Sequence, residues 1–223
     1  MSYSKTIIVE EVRRALQKPG CPICNLLARI EDSMLFQILY EHVLDSIILE
    51  KLAKGLPFCR RHMMLIVAKS LSDPNLGLLP ASIVLERILE LDSIEASECL
   101  LCSQLSSYEQ IYVETLSEIL ASNLEAYAST PAILCYKHLL MIANQIGKCK
   151  LLLLKTHRRK LEKYLNSVRT IIESYKYDSE VQRPKNARKI LMEIVKIVAG
   201  EVSFSTIKPK NNLMSLLKKL WRP

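Results

Sequence analysis

Apolar residues recur at helical spacing along nearly the whole chain. Ile7, Ile8, Val12 and Leu16 mark a short amphipathic helix over residues 5–17, which Lys18-Pro19-Gly20 breaks. Leu27, Ile30, Met34, Ile38 and Val43 then predict a helix from about Pro22 to about Leu44. Pro22 suits its first turn, where no backbone donor is needed. A change of direction is expected near Asp45-Ser46, followed by a shorter helix to about Ala53 and a turn at Lys54-Gly55-Leu56-Pro57. Cys59 opens another helix, to about Leu71.

Residues 72–80 hold two prolines and one glycine and read as a loop, with a connecting helix expected at about 81–94. The pattern then recurs. From Cys99 there is a long helix, a bend at Ser122-Asn123, a short helix and a turn at Thr130-Pro131. From Tyr136 to about Tyr177 only Gly147 interrupts the pattern, which predicts one long helix or two in tandem. Residues 186–199 form a last amphipathic helix, capped by Gly200. A basic tail follows from Ser203 and carries Trp221, a candidate anchor to the protein or to a partner.

Composition supports the helical reading. Hydrophobic residues make up 49% of 223, enough for a core, and there are only 5 glycines, fewer than a sheet protein uses for its turns. The expected fold is all-α, a duplicated helical-hairpin unit with metal-pinned helix ends followed by a basic helical C-terminal region. The segments are 1–20 (N-terminal helix), 21–80 (first repeat), 81–140 (second repeat with its connecting helix), 141–202 (basic helical region) and 203–223 (tail). The first 20 residues are charged and have no apolar stretch of a secretory signal. The run Leu151–Leu154 stops at Lys155, far short of the roughly 18 apolar residues that span a membrane. A soluble cytoplasmic protein is expected.

The net charge of +8 conceals an asymmetry. Residues 1–134 carry 11 Lys/Arg against 17 Asp/Glu, while residues 135–223 carry 20 against 6. Such a split points to an acidic partner for the C-terminal half, nucleic acid or an acidic protein, through residues 148–222, or to attraction between the halves.

The chemistry lies in the cysteines. Cys21-Pro22-Ile23-Cys24 is answered by Cys59-Arg60-Arg61-His62, and Cys99-Leu100-Leu101-Cys102 by Cys135-Tyr136-Lys137-His138. The copies are offset by 78 residues at the first pair and 76 at the second, and Glu109 aligns with Glu31 at the offset of 78. Six of seven cysteines and two of four histidines fall into this pattern. A Cys-x2-Cys pair and a Cys-x2-His pair together make Cys3His, a tetrahedral set suited to Zn2+ with no position left open. The expected metal ligands are Cys21, Cys24, Cys59, His62, Cys99, Cys102, Cys135 and His138, forming two zinc sites.

Reach leaves two pairings open. A helix from Pro22 to Leu44 rises ~30 Å, so a site closes within one copy only if the chain bends at Asp45. If the helix is straight, the copies exchange halves, and Cys21 and Cys24 meet Cys135 and His138 while Cys99 and Cys102 meet Cys59 and His62. An iron–sulfur cluster is the alternative cofactor, and buried small thiols or disulfides are the alternative to metal. A thioredoxin-like reading of Cys21–Cys24 wants a preceding strand and finds none.

The repeat resembles an uncharacterised prokaryotic family whose members carry Cys-Pro-x-Cys, a long helix ending in Leu-Tyr-Glu, and Phe-Cys-x-x-His, repeated once before a helical C-terminal region. The matching residues are Cys21–Cys24, Leu39-Tyr40-Glu41, Asp45 and Phe58–His62. The second copy departs from it, with Leu100 in place of the proline and Leu134 in place of the phenylalanine. The resemblance covers about residues 18–200; it implies that the eight residues form one unit and brings no activity with it.

Elsewhere the signals are weaker. His42 reads as a packed or solvated residue and Cys149 as core. His157 lies in the basic run Lys155–Lys160, where a solvated helix face is the simpler reading and a phosphate contact the other. No phosphate loop, nucleophile elbow or catalytic carboxylate pair is present. The sequence therefore reads as a non-enzymatic metal-binding interaction or regulatory module, with a thiol-redox or iron–sulfur protein as the alternative.

Overall fold

Five of the described helices begin immediately after a cysteine, and four of those cysteines belong to the paired motifs. The computed structural model describes residues 5–41, 58–72, 98–175 and 186–200, and among these all regular structure is helical. Helix α1 is Lys5–Leu16 and α2 is Pro22–Phe36, continued by a π-turn at Gln37–Glu41. Helix α3 is Arg60–Ser72, α4 is Leu100–Ser122 and α5 is Leu124–Ser129. Helix α6 is Tyr136–Gln145, α7 is Lys150–Glu173 and α8 is Ala187–Ala199. None of these helices is long and apolar enough to cross a membrane.

The chain divides into two compact units, Met1–Asp32 with Ser103–Glu201, and Ser33–Cys102 with Val202–Pro223. The first has a continuous apolar core. Val12, Ala15 and Leu16 of α1 share it with Leu116 and Leu120 of α4, Tyr127 of α5, Ile142 of α6 and Leu153 of α7. The seams follow the helical period that the sequence shows, with buried residues three and four apart. Cys21, Cys24 and Cys135 belong to this core. A single parallel bridge joins Gly20 to Ala132, and the Ile133 amide donates to the Gly20 carbonyl at 3.0 Å. Gly20 has φ +90°, a conformation that a side chain would strain, and Asn25 Nδ2 holds the turn by donating to the Pro19 carbonyl at 3.1 Å. The bridge sets the loop entering α2 beside the loop entering α6.

In the second unit, Met34, Leu35 and Leu39 are buried on the C-terminal part of α2 and its π-turn. Leu65 and Ile66 are buried on α3, and Leu101 at the start of α4.

The expected helix from Pro22 to Leu44 is thus regular only to Phe36. The π-turn widens it beyond that point, and the rings of Phe36 and Tyr40 stack there at 4.2 Å. The bend at Asp45, the short helix to Ala53, the connecting helix at 81–94, His42 and the tail with Trp221 lie outside the described residues. The bend at Ser122-Asn123 is present, between α4 and α5. Of the two possibilities for residues 136–177, the chain forms tandem helices, separated by a 3-10 turn at Gly147–Cys149. Gly147 makes the break with φ +51°.

Candidate metal centres

The Cys-x2-Cys and Cys-x2-His motifs have a common local geometry. Asn25, Met63 and Leu139 donate their amides to the carbonyls of Cys21, Cys59 and Cys135 at 2.8–2.9 Å, so each of these cysteines accepts the first hydrogen bond of its helix. Cys135 is the N-cap of α6, with extended backbone angles. The partner residue, Cys24, His62 or His138, then sits three positions on, in the first turn. N-cap and third-position side chains face one another, the same relation that a capping box exploits. Two donors at this spacing therefore converge in front of a helix N-terminus, whose exposed amides favour thiolate over thiol.

The eight sequence-predicted residues assemble into two groups, Cys21, Cys24, Cys135 and His138 in the first unit, and Cys59, His62, Cys99 and Cys102 in the second. This is the exchanged arrangement. Neither copy gathers its own four residues; each group takes Cys-x2-Cys from one copy and Cys-x2-His from the other. In each group the four donor atoms lie within 4.8 Å of one another, an arrangement able to hold one metal ion.

In the first group, His138 Nδ1 is 3.3 Å from Cys21 Sγ, 3.3 Å from Cys24 Sγ and 3.1 Å from Cys135 Sγ. Cys24 and Cys135 sulfurs are 3.7 Å apart. In the second, His62 Nδ1 is 3.3 Å from Cys59, 3.2 Å from Cys99 and 3.4 Å from Cys102, and the Cys59 and Cys102 sulfurs are again 3.7 Å apart. All seven cysteines are free thiols.

So many acids in so little space cannot all keep their ordinary protons. Hydrogen bonds from Cys21 and Cys24 pull the Cys135 thiol far down, while burial and hydrogen bonds with Cys135 and Cys24 push Cys21 well up. Burial pushes His138 down, but hydrogen bonds to Cys135 and Cys24 and their negative charge outweigh it and lift the imidazole to about 10. The second group divides similarly. Burial raises the Cys59 thiol, yet the His62 amide and its thiol neighbours bring it to about 6, whereas burial, hydrogen bonds with Cys99 and Cys59 and then their charges push Cys102 up to about 12. A cation bound at the centre would take the place of the shared protons.

Glu109 on α4 completes the first group. Its Oε1 lies 2.9 Å from His138 Nε2, and Lys137 Nζ reaches its two oxygens at 2.5 and 2.8 Å. Burial pushes the carboxyl up, but hydrogen bonds from Lys137 and His138 outweigh it and keep it ionised. It accepts the Nε2 proton, so a cation displacing the proton on Nδ1, the nitrogen facing the three sulfurs, would find a ligand there. In the sequence Glu109 is marked only by its alignment with Glu31, and that alignment is the available signal for its role. Glu31 is also buried.

Comparison with protein-family models, with curated proteins and with solved structures gives no match.

Two further features border the first group. The C-terminal end of α8 closes over its sulfurs, where a Cβ on Gly200 would stand 3.3 Å from Cys24 Sγ and 3.7 Å from Cys135 Sγ. A cleft of about 160 Å³, with Tyr164, Glu193 and Lys196 on its walls, reaches Cys21. Below the loop that carries Cys135 lies a buried polar network. The Leu134 amide donates to the Tyr127 hydroxyl at 3.2 Å, and that hydroxyl is hydrogen-bonded to His157 Nδ1 at 2.8 Å. Lys160 Nζ donates to the carbonyls of Thr130 and Ala132 at 2.6 and 2.9 Å and lies 4.3 Å from the centre of the Tyr127 ring.

This corrects the reading of the basic run. Lys155, Arg158 and Arg159 are exposed, but His157 is buried and Lys160 half-buried. One face of the run points inward because the loop 130–135 presents carbonyls there that need donors. Cys149 is only partly buried, packed on the edge of the core.

Proposed function

We propose that each group binds one zinc ion as a closed Cys3His centre, and that the chain is a non-enzymatic, metal-stabilised interaction module built from a duplicated helical unit. The observation that carries this is the donor spacing. A Zn–S bond of about 2.3 Å in a tetrahedron places sulfurs about 3.8 Å apart, and the Cys24–Cys135 and Cys59–Cys102 pairs stand at 3.7 Å. An iron–sulfur cluster divides its four protein ligands among two or more irons, so all four cannot converge on one point. Four donors converging within 4.8 Å suit a single ion instead.

Four protein ligands leave no position for a reactive water, which favours a structural role over hydrolysis. Free thiols in both groups suit a reducing cytoplasm. The basic C-terminal half, net +14 over residues 135–223, is the surface we assign to an acidic partner, nucleic acid or protein. Exposed Lys155, Arg158 and Arg159 on α7 are part of it.

The test is metal analysis with an absorbance spectrum on protein purified without air. Two zinc ions per chain in a colourless solution are expected, with cobalt replacing them to give the intense visible bands of a tetrahedral thiolate site. Iron with brown colour, or metal-free protein with oxidised thiols, would sink the proposal. Salt-dependent retention on nucleic acid tests the partner surface separately; no binding at low salt removes the nucleic-acid reading.

A further inference from the structure

The two groups share a donor set and a sulfur spacing but differ in cover. Cys21, Cys24 and Cys135 are between 1% and 7% exposed, sit in the main core and have Gly200 packed on two of their sulfurs. In the second group Cys102 is exposed and Cys59 half-buried, while Cys99 and His62 are buried. Sulfurs 3.7 Å apart must approach by roughly 1.7 Å to form a disulfide. That distance is the same in both groups, so access of the oxidant decides between them.

We propose that Cys59 and Cys102 are a site of oxidation by hydroperoxides, and that their coupling discharges the second centre while the first is retained. The inference rests on the metal reading above, because metal ligation keeps both sulfurs as thiolates at neutral pH.

Cys102, the exposed sulfur, attacks the terminal oxygen of the hydroperoxide. The O–O bond breaks, the alkoxide leaves and takes a proton as the alcohol (water, for hydrogen peroxide), and Cys102 becomes a sulfenic acid. Cys59 thiolate then attacks the Cys102 sulfur. An S–S bond forms, and the displaced hydroxide takes a second proton as water. Two thiolates have lost two electrons to one peroxide. Cys99 and His62 remain, two donors out of four, too few to hold the ion against dilution. A dithiol reductant and added zinc reverse the change.

The experiment uses the full chain with Cys149→Ser, so that every thiol is one of the six ligands. Zinc-loaded protein is titrated with hydrogen peroxide while a chromophoric chelator reports released zinc and mass spectrometry of acid-quenched digests maps disulfides. The expected result is release of one zinc per chain, in step with a Cys59–Cys102 linkage, with the other zinc leaving at least about tenfold more slowly. Release of both ions at one rate, or a first linkage among Cys21, Cys24 and Cys135, overturns the inference and leaves the metal reading standing. Protein that purifies without zinc overturns both before peroxide is added.

Discussion

Glu109 fixes the working nitrogen of His138. Its carboxylate sits 2.9 Å from Nε2, so the imidazole proton lies on that side and Nδ1 faces the three sulfurs. Carboxylates behind metal-bound histidines typically account for 10–100-fold in affinity. Glu109→Ala is therefore expected to weaken zinc at the first centre by about that factor, and Glu109→Gln, which keeps an acceptor but loses the charge, by about tenfold. Competition against a chelator of known affinity measures both. Wild-type affinity in the alanine variant would remove Glu109 from the centre.

The exchanged grouping makes a sharp prediction about stoichiometry. Cys24→Ser and His138→Ala should each lower metal content from two to one, and the double variant should lose no more than either alone, because both residues serve one ion. Cys24→Ser with His62→Ala should instead lose both ions. Within-copy pairing predicts the reverse outcome for the second combination. Thermal unfolding should fall in step, since a structural zinc contributes on the order of 10 kcal/mol.

Gly200 has φ +84° and ψ 171°, a region essentially closed to other residues. A methyl group there also meets Cys24 Sγ at 3.3 Å. Gly200→Ala should cost about 1–3 kcal/mol and loosen the end of α8. Denaturant unfolding gives the magnitude, and faster loss of the first zinc to a chelator shows that the end of α8 is its cover. An unchanged midpoint and unchanged rate would mean that the contact carries no weight.

His157 predicts an acid limb. Burial, with Lys160 nearby, pushes its imidazole down to about 4. A depressed pKa stabilises the fold above the unfolded-state value near 6.5 and loses that contribution as pH falls toward 4. The difference amounts to up to about 3 kcal/mol. His157→Asn should be less stable than wild type at pH 7, and the gap should narrow between pH 6.5 and 4. Comparing the two proteins at each pH cancels proton competition for the metal. A constant gap would show that His157 does not titrate in this range.

The legible and illegible parts of this chain separate by physical cause. That these eight thiols and imidazoles gather into groups is readable because such side chains at fixed spacing have few other uses, and α1, the α4–α5 bend and α8 follow from period and punctuation. Which pairs meet was not readable. Spacing fixes what one helix end offers, whereas the partner is chosen by how the helices pack. His157 was hidden by its neighbours, since composition averaged over Lys155–Lys160 says solvent while the helical period turns residues 153, 157 and 160 toward the core. Glu109 was hidden for a different reason, because a carboxylate on a polar stretch of helix has no signature until the histidine beside it is placed.

The two groups close like nested parentheses. The inner one joins residues 43 apart and the outer one residues 111 apart. With the inner ring shut, the outer loop is shorter by its length, but closure entropy grows only logarithmically and the saving is about 0.4 kcal/mol. Entropy therefore does little to order the two events. Synthesis does more: when Cys102 has left the ribosome all four inner donors exist, while the outer ring waits for His138. An ion bound there would have a head start of several seconds at roughly 5–20 residues per second, so a newborn chain would meet its first ion at the centre whose sulfurs stay most open to solvent afterwards.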